Sequence, residues 1–241
     1  MKTLKNLRGP ALILTLLCVL WLVVIVGLLV LRPAAYNLGT VTTILQFSTI
    51  LALVALGQGL VIMAGGAGID LSVGGAAQSG VPAWLLVWGR GVAFGIPVPF
   101  LTLAIPCFAI AGVVLISTAW GRWIYAMGFN ERSARLVGIP VGRVRFILYT
   151  LSGALAGAAG LVSIAWLGSG RPNIGQNLEL ESLTAAMLGG VGGVFAAVLL
   201  LVTLKTGLLQ LNINTVWQVG IVGALLVFVL LADRLSQRWR S

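Results

Sequence analysis

Few residues in this chain could do chemistry, and their placement limits what kind. There is no His, and Asp and Glu together number five, so the commonest general base and metal ligand is missing. Asp70 has no evident catalytic partner and no ligand set has metal-binding spacing, which leaves an intramembrane enzyme poorly supported. Cys18 and Cys107 lie inside apolar runs and read as packing residues. A phosphate-binding Gly-x-x-x-x-Gly-Lys-Ser/Thr loop is absent, so any ATP used must be bound by another chain, and no cofactor is expected. What remains are polar groups in apolar surroundings: Gln46, Ser48, Thr49 and Gln58 on one run, then Asp70 and Ser72 in the glycine-dense break Gly65 to Gly75. At membrane depth such groups face other helices or a pathway, and Asp70 with Ser72 can either cap the next helix or line a polar cavity.

The second constellation is the stretch from Gly121 to Arg145, the long polar interruption in an oily chain. It carries Arg122, Arg132, Arg135, Arg143 and Arg145 against the single acid Glu131. Asn130 can cap a short helix, Glu131 and Arg135 stand at i,i+4, Gly138 can supply a left-handed stop, and Pro140 prevents continuation. A helix over 131–137 is therefore predicted, lying outside the lipid and presenting Ala134 and Val137 to a docking partner. A basic loop resting on anionic membrane lipid is the plainer reading of the same residues.

The elements that must position these groups are membrane helices. The chain is 59% hydrophobic and 8% charged, with a mean hydropathy of +1.09, and its net charge of +10 gathers at Lys2 to Arg8, in the central loop and at Arg234 to Arg240. Positive-inside topology explains that pattern better than nucleic acid does, and puts both termini and the loop at 121–145 in the cytoplasm. Apolar runs at 11–31, 41–64, 96–118 and 144–167 read as helices, the third entered through Pro97, Pro99 and Pro106; 71–89 is a marginal span with Trp84 and Trp88 at an interface. The run Gly153-Ala-Leu-Ala-Gly157 with Gly160 predicts a close helix contact. A polar outer loop, 168–182, holds Arg171, Glu179 and Glu181. Beyond it, Gly189 to Gly193 interrupts the helical pattern before 194–211 and 216–231. The expectation is one all-α polytopic bundle over 1–241, with about six to eight membrane segments. Parity requires an odd number of crossings after 144–167, whereas hydropathy suggests two, so either the glycine run divides shorter elements or one element is re-entrant.

Taken in order, Gly66-Ala-Gly-Ile-Asp-Leu-Ser-Val-Gly74, Gly95-Ile-Pro-Val-Pro99, Gly121-Arg-Trp-Ile-Tyr-Ala-Met-Gly-Phe-Asn130 with Ala134-Arg-Leu-Val-Gly-Ile139, Tyr149-Thr-Leu-Ser-Gly-Ala-Leu-Ala-Gly157 and Leu183-Thr-Ala-Ala-Met-Leu-Gly-Gly190 resemble the permease subunit of ribose-type ABC sugar importers. That family includes the xylose, arabinose, galactose and autoinducer-2 permeases. The resemblance implies a pathway formed by two permease subunits, a second copy or a sister permease. It further implies an ATP-binding cassette subunit on the cytoplasmic face and a periplasmic or extracellular sugar-binding protein outside. It places coupling to the ATPase on Asn130, Glu131, Arg132, Ala134, Arg135, Leu136, Val137 and Gly138. The substrate pathway is expected along Gln46, Ser48, Gln58, Asp70 and Ser72. Family members are longer: the Gly-Ile-Asp-Leu-Ser segment here passes almost directly to Gly95, as if roughly two or three spans of about 20 residues were absent. A shortened, non-transporting subunit that still docks an ATPase is the alternative.

Overall fold

The computed structural model describes residues 8–31, 37–65, 81–169, 177–214, 216–224 and 227. Asp70, Ser72, the break beyond Gly65, Arg171, Lys2, Lys5 and the Arg234 to Arg240 tail lie outside them. The helices are α1 (Arg8–Leu31), α2 (Leu38–Met63), α3 (Ala83–Arg90), α4 (Ile105–Ser117), α5 (Ala119–Phe129), α6 (Glu131–Leu136), α7 (Val141–Leu167) and α8 (Leu178–Gln210), followed by helical residues at 216–224. Four stretches are long and apolar enough to cross a membrane: Leu38–Met63, Phe100–Ser117, Val141–Leu167 and Gly193–Gln210; Leu14–Val30 is a shorter apolar helix. The protein is a multi-pass, all-α membrane protein.

α2 is the axis of the bundle. Buried residues take up 89% of its apolar window, against 17% for Phe100–Ser117, and α2 packs chiefly on α7 and α8. Its polar side chains are therefore enclosed rather than lipid-facing. Asn37 starts it by accepting from Thr40 N at 2.9 Å. Where α2 crosses α7, a Cβ on Gly57 would come within 3.0 Å of the Ser152 backbone, so this glycine sets the approach of the two helices. Among the described residues, Gly157 and Gly160 do not make the close contact predicted for this run. A Cβ at either would meet nothing within 4 Å, and α7 instead turns Ser152, Ala156 and Ala159 inward. A small residue permits a close approach, but which face is used depends on the neighbouring helices.

The 96–118 segment also differs from the single bent helix expected. Val92–Ala93 pairs antiparallel with Ile96–Pro97 in a two-stranded hairpin (β1, β2), and the helix begins as a π-helical turn, Phe100–Ala104, before α4. Pro106, at the start of α4, lacks the N–H that a regular ladder would use there, which suits a widened turn. α3 is held laterally. Gln46 Nε2 donates to Gly89 O at 2.9 Å, and Arg90 Nε donates to Trp166 O at 2.9 Å, satisfying a carbonyl at the end of α7.

The glycine run inside α8 divides it into two arms. A Cβ on Gly189 would lie 2.2 Å from Val194 N, although five residues of straight helix rise by about 7.5 Å. Gly59 of α2 lies close to both Ala186 and Val194. The chain therefore folds back here, so that 178–188 and 194–210 run alongside one another. α1 lies beside the second arm in the same direction, with Leu17 near Gly193 and Leu28 near Gly207, and Trp21 Nε1 donates to Thr203 Oγ1 at 3.0 Å. α8 is thus a pair of antiparallel arms whose ends lie at the same level of the bundle. Glu181, expected in a polar outer loop, is in the first turn of α8 and 8% exposed.

Candidate functional site

At the basic end of the bundle the chain turns three times in under thirty residues. Thr118 accepts from Gly121 N at 3.4 Å and starts α5. This amphipathic helix was missed in the sequence reading, which took 121–130 as loop. Its signals were Thr118 as a cap and Ile124 and Met127 at i,i+3. Both are buried with Leu60, Val61 and Ala64 at the end of α2 and with Leu115, Val144 and Leu148. Two glycines permit that seating: a Cβ on Gly121 would lie 2.0 Å from Leu115 O, and one on Gly128 2.1 Å from Met63 O.

α6 follows at once and is built from the capping chemistry expected. Asn130 Oδ1 accepts from Ser133 N at 3.1 Å. At the other end Gly138, at φ +84°, lets Gly138 N reach Arg135 O and Ile139 N reach Ala134 O, both at 3.1 Å, closing the orphan carbonyls in a Schellman arrangement. Arg135 Nη2 donates to Glu131 Oε1 at 2.7 Å, and Arg145 Nη2, from the first turn of α7, donates to Glu131 Oε2 at 2.7 Å. The one acid of the segment thus ties α6 to α7. The outward face differs from the expectation. Ala134 is 2% exposed and sits in the core, whereas Phe129, Leu136 and Val137 stand out at 94%, 88% and 75%. Arg132 and Arg135 are exposed beside them. Val137 is the C-cap, past the end of α6, so it leaves the face on which Ala134 packs into the core.

The two guanidinium bonds hold the Glu131 carboxyl below the usual carboxylate range, that to Arg135 more than that to Arg145. A carboxyl whose pKa is lowered by folding contributes stability that is present above its unfolded value and lost as pH falls through the folded one. Amide protection factors over 130–137, taken against intrinsic exchange at each pH, are accordingly expected to be high near neutrality and to fall in acid, with the acid-dependent part removed by Glu131→Gln. Equal pH profiles in the two proteins would refute the tie.

The polar residues of α2 part company. Gln46 is engaged with Gly89, while Ser48 and Gln58 are 1% exposed within the bundle. None of the three lines the largest polar-edged cavity described, of about 390 Å³, which opens at the opposite end of α2 from α6. Phe47, Ser163, Trp166, Glu181, Lys205 and Gln218 contribute to its wall. There Lys205 Nζ donates to Glu181 Oε1 at 2.5 Å across the two arms of α8, 24 positions apart. No local sequence signal could have found this pair, because it depends on the fold-back at Gly189 to Gly193.

The described residues thus form a multi-pass helical membrane bundle, with a buried central helix and a capped, arginine-rich short helix at one end. The chain belongs to the family described as branched-chain amino acid transport system / permease component, whose pattern it matches over residues 4–230. It is 36% identical over 157 residues to the ribose import permease protein of Bacillus subtilis, covering 61% of this chain and 48% of that one. To the xylose transport system permease protein of Haemophilus influenzae it is 37% identical over 154 residues, 60% and 40% of the two chains. The L-arabinose transport system permease protein of Escherichia coli K12 is 36% identical over 154 residues, 60% and 47%. The chain thus spans about half the length of these relatives or less. No solved structure matches it.

Proposed function

We propose that this chain is the membrane-spanning permease subunit of an ABC importer for a sugar or a related small polar solute, with ATP hydrolysed by a separate subunit. The observation that carries the reading is α6: a capped, salt-bridged helix anchored through Ala134 and Glu131, with Leu136, Val137 and Phe129 exposed among arginines. Such a helix transmits force without chemistry of its own, because its inner face is fixed to α2, α5 and α7 while its outer face is free for a partner. In this reading Asn130, Glu131, Arg135 and Gly138 shape the helix, Ala134 seats it, and Arg132, Leu136 and Val137 meet the ATP-binding cassette subunit. The partners are that subunit, an external sugar-binding protein and a second permease. The membrane is the cell's inner or plasma membrane, with 121–145 and both termini on the cytoplasmic side. Ser48 and Gln58, together with Asp70 and Ser72, belong to the pathway in this proposal. The relatives named for ribose, xylose and L-arabinose transport supply the solute class.

The near-direct passage from Gly66–Gly74 to Gly95 favours one second reading: a subunit that docks an ATPase but does not transport. Co-purification with the candidate ATP-binding subunit, followed by uptake of radiolabelled D-ribose, D-xylose and L-arabinose into proteoliposomes with the binding protein present, separates the two. Association with ATP-dependent uptake is expected; association without uptake would leave the docking subunit, and no association would remove both.

A further inference from the structure

Lys205 lies within one of the four apolar spans, and an ionisable group at such a position is costly unless it is paired and used. It is paired, with a Glu181 that is itself 8% exposed. Pairing alone gives a weak account of its presence, because the Lys205 side chain is 41% exposed and an ion pair open to its surroundings on one side adds little stability. The bond between them uses one of two carboxylate oxygens and one of three ammonium N–H groups. Both side chains line the cavity of about 390 Å³, which lies within the range of small-molecule sites, roughly 300–1,000 Å³.

The rest of the wall fits one kind of ligand. Phe47 and Trp166 meet edge to face with ring centroids 4.8 Å apart, offering an apolar surface to C–H groups, while Gln218, 3% exposed, adds an amide. The amide's nitrogen is held by Ile213 O at 2.9 Å, which fixes the side chain in place. One negative and one positive charge at bonding distance cancel, so the site has no net charge with which to select an anion or a cation. It does have strong acceptors and donors side by side, which suit vicinal hydroxyls.

We propose that this cavity, between the mouth of α2 and the two arms of α8, binds a neutral polyhydroxylated solute of monosaccharide size. Glu181 accepts from its hydroxyls, Lys205 donates to them, and the Phe47–Trp166 edge packs on its carbon face. The assignment rests on the permease reading for its biological sense but not for its test.

The test is equilibrium binding to the purified full chain in lipid nanodiscs. The probes are radiolabelled D-ribose, D-xylose, L-arabinose, D-galactose and myo-inositol, each at up to about 10 mM, with D-gluconate as a charged control. Saturable binding of at least one neutral probe, and none of gluconate, is expected. Glu181→Gln and Lys205→Met should each weaken it by about tenfold, the loss typical of a charged hydrogen bond. Phe47→Ala, at a half-exposed position with no buried charge to strand, gives an independent variant should those two misfold, and a severalfold loss is expected there. No saturable binding, or binding unmoved by the variants, would overturn the site. Uptake by the complete transporter is read separately. Uptake insensitive to the variants would sink the site and spare the permease, whereas binding without uptake in the wild type would do the reverse.

Discussion

Gly128→Val is expected to unseat the whole segment from α5 to α6 while leaving the apolar spans inserted. A Cβ here would meet Met63 O at 2.1 Å, a backbone atom in the last turn of α2 that no side-chain rotation can move away. Relief requires α5 to retreat, which opens the cluster of Leu60, Val61, Ile124 and Met127. Overpacking of this kind costs about 1–3 kcal/mol, concentrated at one end of the molecule. Limited trypsin digestion in detergent should then cut at Arg132 and Arg135 severalfold faster than in the wild type. Gly142→Ala is the control, since a Cβ at Gly142 meets nothing within 4 Å and an exposed helical Gly→Ala change is neutral or slightly stabilising. Equal digestion rates for Gly128→Val and the wild type would mean that α5 is not seated by this glycine.

The contrast between those two glycines indicates what could be read in the chain beforehand. α6 was legible because each of its determinants is local: a cap three residues from its donor, an ion pair one turn apart, a glycine at the stop. The apolar spans were legible because hydropathy needs no partner. The face of a helix that touches its neighbour is set by elements distant in sequence. Gly157 and Gly160 therefore promised a contact that Ser152 and Ala159 make, and Ala134 was assigned to the wrong side. α5 was missed because its arginine and its tryptophans made a short amphipathic helix resemble a polar connector.

The fold-back within α8 occupies an intermediate place. Hydropathy over 183–211 could not distinguish one long helix from two arms, yet the parity of the three basic patches conflicted with a simple count of crossings. The conflict left two ways out, a division at Gly189 to Gly193 or a re-entrant element. The consequence lay beyond reach: only two arms running side by side bring Lys205 to Glu181. A constraint on topology can thus suggest a break in the chain, but the chemistry created by that break has to be read from the structure.

Leu136→Asp with Val137→Asp is expected to abolish association with the ATP-binding subunit and to leave the fold intact. The two side chains are 88% and 75% exposed, so replacing them strands no buried charge and opens no cavity, and surface changes of this kind usually move stability by within about 0.5 kcal/mol. At an interface they fall on the apolar centre, where two desolvated carboxylates would cost several kcal/mol and reduce affinity by about a thousandfold. The same acids placed beside Arg132 and Arg135 offset the positive field that an acidic partner groove would require. Arg135 is better left unmutated, because its loss would also release Glu131 and so confuse docking with helix stability. Co-purification from detergent at moderate salt is the measurement, with size-exclusion profile and thermal unfolding as checks on the fold. Retained association in a well-folded double variant would move the docking surface elsewhere on the basic end. Lost association, with Ser133→Ala binding normally, would fix it on the outer face of α6.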